Sequence, residues 1–138
     1  MFKGNNMNEE IILKSEDGVG IITLNRPERL NALTYNIIQK MNDFLDKCES
    51  DDDIKCVIIE GAGEKAFCAG GDVVSLRKQV LDEGGPPTEL SEKFFYDEYL
   101  LNYKINNFTK PYIALIDGVT MGGGVGVSMH GSHIVCTE

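Results

Sequence analysis

Two glycine-rich turns constrain this chain more than any other feature, because each lies between an apolar run and a segment with helical spacing. The first is Phe67-Cys68-Ala69-Gly70-Gly71-Asp72. The second, Gly118-Val119-Thr120-Met121-Gly122-Gly123-Gly124-Val125-Gly126, follows directly on the apolar segment Tyr112 to Ile116. A strand that runs into such a turn and emerges as a helix lets backbone approach a ligand closely. It also exposes N–H groups that no helical carbonyl accepts, where an anion or a developing oxyanion can be held.

The remaining elements follow from periodicity. Ile11-Ile12-Leu13 and Val19 to Leu24 are β-rich runs split by Glu16-Asp17-Gly18, which predicts a hairpin. Pro27 ends the second run, and Asn25 to Arg29 is read as a loop leaving the sheet. Leu33, Ile37, Ile38, Met41, Phe44, Leu45 and Cys48 recur at three- and four-residue spacing, the apolar face of a helix entered near Thr34 and ended by Ser50-Asp51-Asp52-Asp53. Cys56 to Ile59 is predicted as a buried strand and Gly61 to Lys65 as a loop. Asp72 is placed to cap a helix running through Leu81. Gly84-Gly85-Pro86-Pro87 separates that helix from one over Ser91 to Asn107, with Glu98 close to its aromatic face. A strand at Tyr112 to Ile116, a short helix from about Gly124 to His130 and a strand at His133 to Cys136 complete an α/β chain, largely parallel after the hairpin.

Which anion the glycines serve is narrowed by elimination. The dinucleotide fingerprint G-x-G-x-x-G fails in both registers, since Val127 and Met129 stand where the third glycine is needed. No lysine follows Lys110, so a P-loop is excluded. A nucleophile elbow at Gly126-Val127-Ser128-Met129-His130 has the serine but ends in histidine, and Ser128 reads better as a small packing residue. Two glycine turns of this kind can instead aim two N–H groups at one point. Such a pair suits the oxyanion of an enolate or tetrahedral intermediate from a thioester, each donor being worth on the order of 3 kcal/mol.

Composition bounds the partners. A length of 138 residues and an apolar fraction of 42% fit one globular domain. The net charge of −9 argues against nonspecific nucleic-acid binding, which needs lysine and arginine against phosphates. Cys48, Cys56, Cys68 and Cys136 show no C-x-x-C or zinc spacing and are expected as reduced thiols. His130 and His133 lack a third ligand, so no metal site is expected. Residues 1–10 are expected to form a short polar leader, without a secretory h-region or a basic transit-peptide character. No run approaches the ~18 apolar residues of a membrane span, so a soluble, non-membrane protein is expected.

Asn25-Arg26-Pro27-Glu28-Arg29-Leu30-Asn31-Ala32-Leu33, Ala66 to Asp72, and Lys110-Pro111-Tyr112 leading to Met121-Gly122-Gly123-Gly124 resemble the successive signatures of the crotonase (enoyl-CoA hydratase/isomerase) superfamily. Phe94 to Asn102 and Gly118 to Gly131 are similar to its 3-hydroxyisobutyryl-CoA hydrolase branch, which cleaves a small acyl-CoA in valine breakdown. The resemblance implies an N-terminal portion of a crotonase-like spiral of ββα units over residues 11–138. It implies oxyanion donors at the Ala69 and Gly123 N–H groups and a substrate contact at Glu98. It further implies a pantetheine and thioester wall at Gly70, Gly71 and Asp72, and a loop at Arg26 to Ala32 near the nucleotide end of CoA. Hydratases of the superfamily carry a catalytic glutamate two residues after the triple glycine, where this chain has Gly126, so hydration is disfavoured.

The resemblance also implies no cofactor beyond the coenzyme A of the substrate, a possible homo-oligomer, and a mitochondrial location, with the cytoplasm as alternative. The family's chains run to more than twice this length, with further catalytic carboxylates in the part that would follow Glu138. Three readings therefore stand at this point: an acyl-CoA hydrolase, a truncated noncatalytic CoA-binding or oligomerisation module, and a hydratase or isomerase.

Overall fold

The computed structural model describes residues 9–85 and 88–138. Residues 1–8 of the expected leader, and Pro86-Pro87 of the predicted break, lie outside the described residues.

The predicted hairpin forms as β1 (Ile11–Glu16) and β2 (Val19–Leu24), paired antiparallel from Ile11↔Leu24 to Glu16↔Val19. A short 3-10 turn, Pro27–Arg29, interrupts the loop that follows. Helix α1 (Tyr35–Ser50) starts as the periodicity predicts: the Thr34 hydroxyl accepts a hydrogen bond from the Ile37 N–H, and Ile37, Ile38, Met41, Phe44, Leu45 and Cys48 are buried. Strand β3 (Cys56–Gly61) runs two residues past the predicted Ile59, to Gly61. Its burial alternates, with Val57 and Ile59 fully in the core, so one face of the strand is covered rather than both.

Strand β4 (Ala66–Cys68) leads through the first glycine turn to α2 (Val73–Asp82), and α3 (Glu89–Asn106) follows. The structure begins α3 before the predicted Ser91, because Thr88 and Ser91 cap it reciprocally, a serine standing where a glutamate or glutamine would have signalled the cap. Strand β5 (Tyr112–Ile116), a two-residue strand β6 (Val119–Thr120), α4 (Gly123–Met129) and β7 (His133–Cys136) complete the chain.

The main sheet has the order β1-β2-β3-β5-β7, parallel throughout after the hairpin. Each parallel step is made by a crossover that carries helix: α1 between β2 and β3, α2 and α3 between β3 and β5, α4 between β5 and β7. The second layer is a small parallel sheet of β4 and β6. The core joins Ile22, Leu24, Val57, Ile59 and Ala114 of the main sheet to Ile37, Met41 and Leu45 of α1 and to Leu101 and Ile105 of α3. Among the described residues, no helix is long and apolar enough to cross a membrane.

Candidate active site

The two glycine turns are held side by side by β4 and β6. Ala66 pairs with Val119 and Cys68 with Thr120, and the Met121 N–H continues the ladder to Cys68 O at 3.1 Å. Each strand then leaves through a glycine at positive φ, Gly70 at 106° and Gly122 at 53°, a region that an L side chain resists. The reversal brings backbone against backbone: a Cβ on Gly70 would lie 3.3 Å from Gly123 N and 3.5 Å from Gly122 Cα.

Two N–H groups emerge at this junction. Among the described residues, neither the Gly71 nor the Gly123 N–H has a hydrogen-bond acceptor, although their neighbours Asp72, Gly124 and Val125 all donate to backbone carbonyls. The point where a Gly123 Cβ would stand is 3.4 Å from Gly71 N and in collision with Glu98 Oε1. One locus is therefore bordered by two backbone N–H groups without acceptors and one carboxylate.

Glu98 reaches this locus from α3. It is 8% exposed, on the same helix face as the buried Phe94, Leu101 and Ile105. Burial pushes its carboxyl above the ordinary glutamate value, and no charged or hydrogen-bonding partner among the described residues offsets that. The Cys68 thiol behind the turn is pushed up to about 11, chiefly by burial, with the Gly70 backbone working against the shift and Glu98 adding to it. It is a packing group and not a thiolate nucleophile.

The family profile described as Enoyl-CoA hydratase/isomerase matches residues 19–138. This chain belongs to the enoyl-CoA hydratase/isomerase family. Among curated relatives it is similar to the mitochondrial 3-hydroxyisobutyryl-CoA hydrolases of zebrafish (Danio rerio; 49% identity over 94% of this chain and 33% of the relative) and of Homo sapiens (46% identity over 100% and 35%). Among solved structures it is similar to a carnitinyl-CoA dehydratase from Mycobacterium thermoresistibile (42% identity, TM-score 0.86, 94% of this chain and 37% of that one). It is likewise similar to an enoyl-CoA hydratase from Rhodobacter sphaeroides (35%, TM-score 0.88, 94% and 38%). The chain spans about a third of the length of the curated relatives it matches. The crotonase-like α/β architecture expected from the sequence is the fold observed, in its N-terminal portion.

Within this enoyl-CoA hydratase/isomerase framework, one assigned residue requires correction. The resemblance placed a donor at Ala69, but the Ala69 N–H is committed to Leu30 O at 2.9 Å; the free N–H of that turn is two residues on, at Gly71. The cause lies in the Arg26 to Leu33 loop, where Leu30 and Asn31 both adopt positive φ and present the Leu30 carbonyl to the turn. The loop is fixed by Asn31, 1% exposed, whose Oδ1 accepts from Arg26 N and whose Nδ2 donates to Ala62 O and Ala66 O. Nothing in spacing marks Asn31; its role depends on three backbone segments meeting.

Gly70 supplies the reversal and Gly71 the N–H. Asp72 turns its side chain elsewhere. Its Oδ1 accepts from the Ser75 N–H at 3.0 Å, capping α2 as predicted, and its Oδ2 accepts from Arg26 Nη2 at 2.9 Å. Burial pushes the Asp72 carboxyl up, but the hydrogen bonds from Ser75 and Arg26 together hold it below its ordinary value. Arg26 also donates to Ala32 O, so its guanidinium braces the loop. Beside Asp72 opens a cleft of ≈ 420 Å³ lined by Arg26, Tyr35, Leu76 and Phe94, and the Phe94 ring lies against Gly71. Ser128 is buried and donates to Gly124 O at 2.7 Å, which makes it the packing residue expected.

Proposed function

We propose that this chain supplies the oxyanion-binding half of an acyl-CoA thioester hydrolase of the 3-hydroxyisobutyryl-CoA hydrolase kind. The observation that carries the reading is the pair of acceptor-free N–H groups at Gly71 and Gly123, converging with the buried Glu98 on one locus. A thioester carbonyl oxygen placed there gains charge as its carbon turns tetrahedral, and two fixed N–H donors meet that charge without reorganisation. Glu98 would contact the acyl group. Its raised carboxyl holds a proton more readily than an exposed glutamate, which suits hydrogen bonding to a substrate oxygen. Coenzyme A enters only as part of the substrate, and the location proposed is that named for the relatives, the mitochondrion.

Titration with 3-hydroxyisobutyryl-CoA tests this reading. The backbone amide resonances of Gly71 and Gly123 should shift on binding while Ala69 stays put, and thiol release should accompany turnover. Shifts at Ala69 without Gly71 would return the donor role to the residue first assigned. Binding without thiol release favours the noncatalytic reading.

A further inference from the structure

Gly123 and Gly126 lie three residues apart on α4 and both face α3, where Glu98 and Asn102 lie four apart. Gly123 is met by Glu98. Gly126 is met by Asn102: a Cβ there would stand 2.7 Å from both Nδ2 and Oδ1 of the amide and 3.0 Å from its Cγ. No side chain of any kind fits at 126 while Asn102 keeps its place. The amide is held at a cost, since Asn102 Oδ1 is buried and has no hydrogen-bond partner. An apolar residue would fill this spacing between helices without that loss, so packing alone does not explain an asparagine here.

We propose that Asn102 is a specificity-determining positioning residue: its amide fills the volume through which a side chain at 126 would enter the locus of Gly71, Gly123 and Glu98, and so keeps a second carboxylate out. A carboxylate side chain at 126 would stand with Glu98 as the acid and base pair that adding water across a carbon–carbon double bond requires, whereas Asn102 leaves Glu98 as the carboxylate that α3 and α4 present to the N–H pair. Residues 102 and 126 are thus one unit in which a larger group at either position demands a smaller one at the other. This deepens the thioester reading and rests on it, yet both measurements below are made without CoA. Absence of amide shifts at Gly71 and Gly123 with the acyl-CoA would sink the thioester reading and leave this pairing to be judged on its own.

The first measurement is urea unfolding of the 138-residue chain carrying Gly126→Ala, Asn102→Ala or both. Overpacking should make Gly126→Ala raise the unfolding constant about tenfold. In the Asn102→Ala background the same change should be neutral or stabilising, because the clash is gone and alanine favours helix over glycine. Equal effects in the two backgrounds would overturn the proposal. The second compares Glu98 titration, by carboxyl-carbon NMR, in Asn102→Ala and in Asn102→Ala/Gly126→Glu. Cys68, the buried thiol on which Glu98 acts, is the same in both. A carboxylate entering the locus should raise the Glu98 midpoint by like-charge repulsion; an unchanged midpoint would show that position 126 does not feed the site. A purely structural asparagine would not move that titration.

Discussion

Glu98 carries a stability signature of its own. Burial raises its carboxyl, so the folded chain binds that proton more tightly than the unfolded one. The group's contribution is therefore fully present below the unfolded-state value and is lost as pH rises through the higher folded-state value. Glu98→Gln should accordingly raise the melting temperature at about pH 8 and leave it nearly unchanged at about pH 3, well below the ordinary glutamate value, where both side chains are neutral; a uniform shift across pH would contradict this. The thiols divide in the same physical terms. Cys136 is exposed and Cys68 buried, with the latter pushed up to about 11. Cys68 is therefore held as the thiol at neutral pH, so iodoacetamide should modify Cys136 and spare Cys68, as read by mass spectrometry of digests. Residues of this kind differ in legibility. Glu98 on its helix reads from sequence as an ordinary exposed glutamate, and only family resemblance lifts it out. Ala69 fails because a backbone donor is defined by where its N–H points, which depends on the distant carbonyl of Leu30.

At the scale of elements, the site exists because a two-residue strand pairs. Val119-Thr120 is too short for any periodicity to announce, and sequence alone reads the stretch as a direct passage from the Tyr112 strand into glycines. Its pairing with Ala66–Cys68 is what turns two separate glycine turns into one locus. The long elements, by contrast, were legible because each declares its own period and cap: α1 from Thr34, β5 and β7 at the predicted bounds. The loop from Arg26 to Leu33 ranks between these, since Pro27 marks its start but its fold depends on Asn31. Replacing Asn31 by alanine removes three hydrogen bonds and leaves the Ala62 and Ala66 carbonyls without that donor. The expected loss is about 3 kcal/mol in denaturant unfolding, against about 1 kcal/mol for Thr34→Ala, which removes a helix cap. A smaller loss for Asn31 than for Thr34 would show that the loop is held by other contacts.

Over the whole molecule, charge and apolar surface oppose each other. On α3, the face opposite Glu98 presents Tyr96, Tyr99 and Tyr103 to solvent, at helical spacing and each more than two-thirds exposed. The edge strand β7 adds exposed Ile134 and Val135, with an unpaired strand edge beside them among the described residues. Two such surfaces favour association of copies, while a net charge of −9 on each copy resists it. The balance is set by ionic strength, because the screening length falls from about 30 Å at 0.01 M salt to about 8 Å at 0.15 M. Sedimentation velocity should therefore show a larger apparent mass as salt rises, the reverse of an assembly held by ion pairs. Tyr99→Lys interrupts the aromatic stripe at its centre while making the net charge less negative. If the stripe drives association, this variant stays smaller at high salt despite its weaker repulsion; if the β7 edge drives it, the variant associates at least as readily as the original chain.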